Sequence, residues 1–318
     1  LGEAARMAAR VTGKSEVLVP HFVHPDRLCT LRLYAKTAGI DVIEVRQDIS
    51  TGQIDLSDLG SKISKRTAAV YIENPSYLGY LETSVDEISR MSHENGSLFI
   101  VGIDPISLGL LRSPGDYAAD IVVGEGQPLG LHMNYGGPLL GIFASRGDSL
   151  VRQMPGRIVG MTMTLKDNQR AYCIALQTRE QHIRREKATS NICSNEALCA
   201  VAVAVHLALL GPRGLRELAS TVISKAHYAM KKLNEIPGIR APLFEAAHFK
   251  EFTVNFDRTN LKVNDINRSL LAAGIQGGHI LNEEFPELGE TALYCVTEMN
   301  PQKEIDKLVE TLKEIVGD

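Results

Sequence analysis

Tryptophan is absent from the 318 residues, and aromatic side chains make up only 5%. Stacking platforms for nucleic-acid bases are therefore scarce. A formal charge of −4 gives no overall attraction to nucleic acid or to an anionic membrane surface. The five cysteines (Cys29, Cys173, Cys193, Cys199, Cys295) form no CxxC pair and have no histidine-rich companion motif. Reduced thiols in a cytoplasmic protein are the plain expectation. No zinc spacing, Walker A, GxGxxG or GxSxG motif occurs, so no metal is expected. The longest apolar run, ALCAVAVAVHLALL (197–210), is 14 residues and contains His206. A membrane span needs about 20, so this run reads as a buried helix. No lysine lies between Lys65 and Lys166. That long stretch offers no side-chain amine as a nucleophile.

An apolar content of 44% suits a globular chain with a full core. At roughly 100–200 residues per domain, two domains are expected. The runs 17–20 (VLVP), 41–45 (DVIEV), 68–72 (AAVYI), 98–103 (LFIVGI), 120–124 (DIVVG) and 141–144 (GIFA) read as strands covered on both faces, because they are apolar without strict alternation. Helices lie between them. Ser84 with Glu87 reads as a capping box, Val85, Ile88 and Met91 keep one apolar face, and Asn95-Gly96 stops the helix. The alternation predicts a mainly parallel sheet with flanking helices. Residues 146–176 read as irregular, broken by Pro155, Gly156 and Gly160. Helices are expected over 195–210 and 215–236, separated by Gly211-Pro212. Beyond them, strand 252–256, helix 263–273, strand 291–296 and helix 303–316 predict a smaller α+β unit. The boundary is placed at 1–212 and 213–318.

Several segments carry a resemblance: NPSYLG (74–79), GEGQPLG (124–130), NYGGPLLG (134–141), MPGRIVG (154–160) and, above all, QTREQHIRREKATSNICSN (177–195). They are similar to subunit 1, the alpha half, of the split P-protein of the glycine cleavage system, glycine dehydrogenase (decarboxylating). The similarity runs from Leu1 to about Asp318. Because the chain starts without methionine, an amino-terminal part of the family is expected to be missing, and no signal peptide can be judged. The resemblance makes GMTMTLKDNQR (160–170) a hairpin, one that lacks the acidic and glycine residues expected of the family there.

The resemblance implies an α/β, fold-type-I pyridoxal-phosphate-transferase-like structure. It also implies decarboxylation of glycine and transfer of the aminomethyl group to lipoyl-H-protein, in an α2β2 assembly with glycine dehydrogenase subunit 2 (beta). At the place of the Schiff-base lysine this chain has Gln127 and Pro128. The resemblance therefore assigns pyridoxal phosphate to the beta subunit, with no covalent cofactor here. Asn74 and Asp104 become vestiges, one near a cofactor ring oxygen and the other the partner of the ring nitrogen. Their local readings are a Pro-Gly turn and a helix cap before Pro105. His21 and His24 follow the first strand, where a residue can stack on the cofactor or simply start a helix. The loop Asn134, Tyr135, Gly136, Gly137 is a candidate contact to the partner's cofactor phosphate, or a tight turn. Arg179, His182, Arg185 and Asn191 are candidates for an interface near the partner's active site. Two other readings stay open. One is a purely structural or regulatory interaction subunit. The other is an independent pyridoxal enzyme using Lys166 or Lys187.

Overall fold

The computed structural model describes residues 1–133, 135, 137–175, 181–188, 190, 192 and 196–317. The amino-terminal layer runs α1 (Gly2–Thr12), β1 (Glu16–Pro20), α2 (Pro25–Thr37), β2 (Asp41–Val45), α3 (Leu56–Lys62), β3 (Thr67–Glu73), α4 (Val85–Glu94), β4 (Leu98–Ile103), β5 (Ile121–Glu125) and β6 (Gly141–Ser145). The six strands form one sheet in the order β2-β1-β3-β4-β5-β6. All neighbours are parallel except β5 and β6. Every residue of β1 and β3 is buried. The reason is cover on both faces. Ala4, Ala5, Met7 and Ala8 of α1 pack on one side with Leu31 and Ala35 of α2. Leu59 of α3 and Val85 and Ile88 of α4 pack on the other.

The next segment, described over 146–175, is more ordered than its prolines and glycines suggest. It holds a short helix, α5 (Gly147–Val151), and an antiparallel hairpin, β7 (Ile158–Met163) with β8 (Arg170–Ala175). The hairpin strands alternate poorly because most of their side chains are exposed. A short turn of helix, α6 (Gln181–Arg184), precedes the long α7 (Ala197–Asn234). Gly211, at φ 65° and ψ 175°, breaks α7 beside Pro212. Its first half corrects the expectation of a buried helix. Leu198, Val201, Val205 and Leu209 are exposed by 55–84%, and Val203 is the only one of its side chains in the hydrophobic core.

The carboxyl-terminal layer contains β9 (Glu251–Asn255), α8 (Val263–Ala272), β10 (His279–Ile280), β11 (Thr291–Cys295) and α9 (Gln302–Gly317). Its strands form an antiparallel sheet in the order β10-β11-β9. The core here joins Ala226, Met230 and Leu233 from the second half of α7 to Ile266 and Leu270 of α8 and Val309 and Leu312 of α9. An aromatic cluster of Phe22, Tyr80, Phe244 and Phe285 welds the two layers, with ring centroids 5.1–5.6 Å apart.

One cap differs from the sequence reading. The Ser84 side chain makes no cap hydrogen bond at α4. The Glu82 carboxylate accepts from the Ser84 N–H at 2.8 Å and from the Ile54 N–H at 2.9 Å instead. In a capping box that Ser84 N–H goes to the carboxylate three residues on, so Glu82 stands in the place of Glu87, its other oxygen anchored to a second loop.

Candidate functional site

In an open parallel sheet the natural crevice lies beyond the carboxyl ends of the strands, where strand order reverses. Here the reversal falls between β1 and β3. His21 follows β1, Asn74 follows β3, Asp104 follows β4, and Gln127 stands two residues beyond β5. These strands are consecutive neighbours. Four positions singled out from the sequence therefore share one edge of the sheet.

Each of them is already engaged by this chain. The His21 ring contacts Glu44 Oε2 at 2.8 Å through Nδ1 and Glu287 Oε1 at 2.6 Å through Nε2. Burial lowers its pKa, but the two carboxylates outweigh burial and raise it overall. His24 caps α2, its Nδ1 accepting from the Asp26 N–H, and its ring lies 4.6 Å from that of Tyr77. Asn74 donates through Nδ2 to the Glu82 carbonyl at 3.3 Å. Its Oδ1 is buried and has no partner among the described residues.

Asp104 serves as both a turn acceptor and a pairing group. Its Oδ1 accepts from the Ile106 N–H at 2.8 Å, closing the turn that leads into a short 3-10 helix at Ser107–Gly109. Its Oδ2 pairs with Lys250 Nζ. Lys250 immediately precedes β9 in the other layer and lies 3.6 Å from Glu251 Oε1. Burial lowers the Lys250 ammonium pKa, but the carboxylates of Glu251 and Asp104 outweigh burial and hold it above its ordinary value. Burial pushes the Glu251 carboxyl up to about 7, against the pull of Lys250.

Gln127 is pinned inside its own loop. Its N–H donates to Glu125 Oε1 at 3.0 Å, and its Nε2 donates to the Leu131 carbonyl at 2.7 Å. The same Glu125 oxygen accepts from the Leu140 N–H at 2.8 Å, closing the loop. Pro128 has neither an amine nor an N–H to offer.

A second network lies under this edge. Glu73 is buried and pairs with Arg27 through Oε1, which also accepts from the Tyr71 hydroxyl at 2.9 Å. Its Oε2 accepts from the Tyr77 N–H at 3.0 Å. The crevice at the strand-order reversal, lined by Pro20, Phe22, Gln47, Glu73, Ser76 and Tyr80 among others, has a volume of about 10 Å³. That is room for one water.

These residues do not fit a pyridoxal cofactor bound through this chain. No amine stands at Gln127 or Pro128, and the Asp104 carboxylate is taken. The buried Asn74 Oδ1 fits a ring hydroxyl, and one acceptor does not make a site. The two lysines suggested by sequence proximity are exposed. Lys166 sits in the turn between β7 and β8, and Lys187 lies just after α6. Lys250 could not be found by spacing, because no local pattern links it to Asp104.

The other candidates lie elsewhere. His182, on α6, and Arg185 are exposed, with Arg185 at φ 52°. Arg179, Asn191, Asn134 and Gly136 fall outside the described residues. Tyr135 is 98% exposed at φ 48°, and Gly137 has φ 134°. Large apolar side chains are also exposed on the β7–β8 hairpin, including Val159, Met161, Leu165 and Tyr172. Among the described residues no group of three or more His, Cys, Asp or Glu could hold a metal ion.

Residues 1–312 match the glycine cleavage system P-protein family. A probable glycine dehydrogenase (decarboxylating) subunit 1 of Staphylothermus marinus is 50% identical over 320 residues, covering 100% of this chain and 68% of the relative. Its counterpart in Thermococcus kodakarensis is 46% identical over 319 residues, covering 100% and 69%. The crystal structure of a glycine decarboxylase (P-protein) of the glycine cleavage system, in inhibitor-bound form, superposes with a TM-score of 0.89 at 36% identity, covering 99% of this chain and 68% of that one. A sphingosine-1-phosphate lyase from Burkholderia pseudomallei shares the fold alone, at 16% identity and TM-score 0.70, over 99% of this chain and 68% of that one. The fold is thus that of the fold-type-I pyridoxal-phosphate enzymes, and the chain belongs to the glycine cleavage system P-protein family, alongside relatives named as subunit 1 of glycine dehydrogenase (decarboxylating).

Proposed function

We propose that this chain is the non-catalytic half of a two-subunit glycine dehydrogenase (decarboxylating), working in the cytoplasm. In this reading the partner subunit holds pyridoxal phosphate, which supplies the electron sink for loss of carbon dioxide from glycine. The aminomethyl group then passes to lipoyl-H-protein. The carrying observation is that His21, Asp104 and Gln127 are all paired within this chain at the edge where the fold would bind a cofactor. What the chain contributes is surface. The apolar half of α7 and the β7–β8 hairpin expose large side chains that a subunit interface would cover. His182 and Arg185, together with Arg179 and Asn191, are proposed to lie at that interface near the partner's active site. The loop Asn134–Gly137 is proposed to reach the partner's cofactor phosphate through backbone N–H groups. The assembly is proposed to be α2β2.

The test is reconstitution. The full-length subunit and subunit 2 are assayed separately and together for exchange of the glycine carboxyl with labelled carbon dioxide. Activity that requires both supports the proposal. Activity from this subunit alone overturns it. Full activity from subunit 2 alone favours a purely structural or regulatory role.

A further inference from the structure

We infer that the Lys250 ammonium is a resident substitute for a cofactor's protonated ring nitrogen, and that its pair with Asp104 closes this chain's ancestral pocket from within. The inference deepens the reading above and rests on it in one respect, that the cofactor belongs to the partner.

Asp104 ends β4 at the edge where the strand order places a ligand. Its two oxygens are divided between the Ile106 N–H and Lys250 Nζ. Both members of the pair are well buried, with side-chain exposures of 13% and 17%. A second cation brought to Asp104 would meet the Lys250 ammonium in a desolvated setting, where like charges are costly.

The lysine is held there by the backbone. The Lys250 carbonyl accepts from the Val296 N–H at 3.0 Å. The strap leading to it is bonded to the loop that follows Asn74: the Leu81 N–H donates to the Ala247 carbonyl at 2.8 Å, and the Phe249 N–H donates to the Gly79 carbonyl at 3.1 Å. These bonds fix the Lys250 backbone beside the Asp104 edge, and the ion pair with Asp104 holds its ammonium there.

The pair also decides whether Lys250 is a hidden nucleophile. An amine attacks a carbonyl only when neutral. Asp104 and Glu251 favour its protonated form. Lys250 is thus a structural cation, and the reading of an independent pyridoxal enzyme loses its best-placed lysine.

The experiment measures amine reactivity in the folded, full-length subunit. Lysines are methylated with formaldehyde and a borohydride reductant, and rates are read residue by residue by mass spectrometry. Lys250 is expected to react at least about tenfold more slowly than the exposed Lys36 and Lys166. Asp104→Asn removes the anion and is expected to speed Lys250 by about tenfold or more. In parallel, pyridoxal phosphate is titrated into the wild-type subunit, with no saturable spectral change expected. A wild-type Lys250 that reacts as fast as Lys36 overturns the inference. So does a folded Asp104→Asn variant whose Lys250 rate is unchanged, and so does saturable cofactor binding by the wild type. Should Asp104→Asn fail to fold, the wild-type rates and titration decide. Saturable cofactor binding would count against the proposed function as well, whereas the methylation rates test the inference alone, so the two fail distinguishably.

Discussion

Gly79 and Glu251 meet backbone to backbone. A Cβ at Gly79 would lie 1.8 Å from the Glu251 carbonyl oxygen, and its φ of 91° already favours glycine. This contact seats the strap that carries Lys250. Gly79→Ala is expected to cost about 2 kcal/mol or more, through overpacking and backbone strain together. Thermal melts of the two proteins check it, and a melting temperature within a degree or so of wild type would show that the layers shift freely.

The exposed apolar stripe on α7 gives a second expectation. Leu198 and Val205 are 80% and 55% exposed, so Leu198→Glu and Val205→Glu should leave this chain's own fold intact. Association with subunit 2 should weaken by about tenfold or more, since charge is disfavoured at interface centres. Sedimentation of the mixed subunits, with circular dichroism as the folding control, reads both. A complex of wild-type affinity would assign the stripe to some other contact.

Arg185 is expected to lie at the partner's site. Truncating one member of a buried, hydrogen-bonded charge pair at an interface costs about 2–5 kcal/mol. Arg185→Ala should therefore promote dissociation of the assembly and reduce its turnover. If both remain at wild-type levels, the segment is an exposed face and nothing more.

Gly137 sits at φ 134°, a region closed to most side chains. Gly137→Val should displace the loop's backbone donors while the core stays folded. Losing one or two charge-assisted hydrogen bonds, at about 1.5–3 kcal/mol each, should raise the dissociation constant of pyridoxal phosphate from the reconstituted complex by a factor of about ten or more. Cofactor titration with assembly verified is the measurement. An unaltered constant would make the loop an ordinary turn.

Glu251 supplies a pH dependence. Burial raises its carboxyl from an ordinary value of 4.5 to about 7. A raised pKa means that the folded state holds the proton more tightly. The associated stability is complete below pH 4.5 and is lost as pH climbs through about 7. Glu251→Gln, a permanent neutral mimic, should gain stability relative to wild type across that window. His248, held down to about 4 mainly by burial, titrates in the opposite sense below its ordinary 6.5 but is common to both proteins. Melting temperatures measured at several pH values decide, and a constant difference would mean that Glu251 is solvated.

The chain's own pattern of residues was enough to set out the parallel sheet. Apolar runs without alternation mark strands covered on both faces, and all six lie close to where the runs fall, from Glu16–Pro20 to Gly141–Ser145. Strand ends in turn placed His21, Asn74, Asp104 and Gln127, because polar residues that stop a buried strand emerge at its edge. The absence of lysine from that stretch of the chain was equally legible, though not the arrival of Lys250 beside Asp104 from the other layer. Other features were not. The apolar half of α7 reads as buried by composition, since hydrophobicity records that a face needs cover and not which chain provides it. The β7–β8 hairpin was legible only through the family resemblance, over Gly160–Arg170, and not from periodicity, because exposed strands lose the alternation that burial enforces. The Ser84 N–H went to Glu82 in place of Glu87, a carboxylate shared with a loop nearly thirty residues earlier. Lys250 lies farthest beyond local reasoning. Its partner Asp104 is chosen by two layers packing together, and an ion pair depends on distance in space and on lost solvent, neither of which residue spacing encodes.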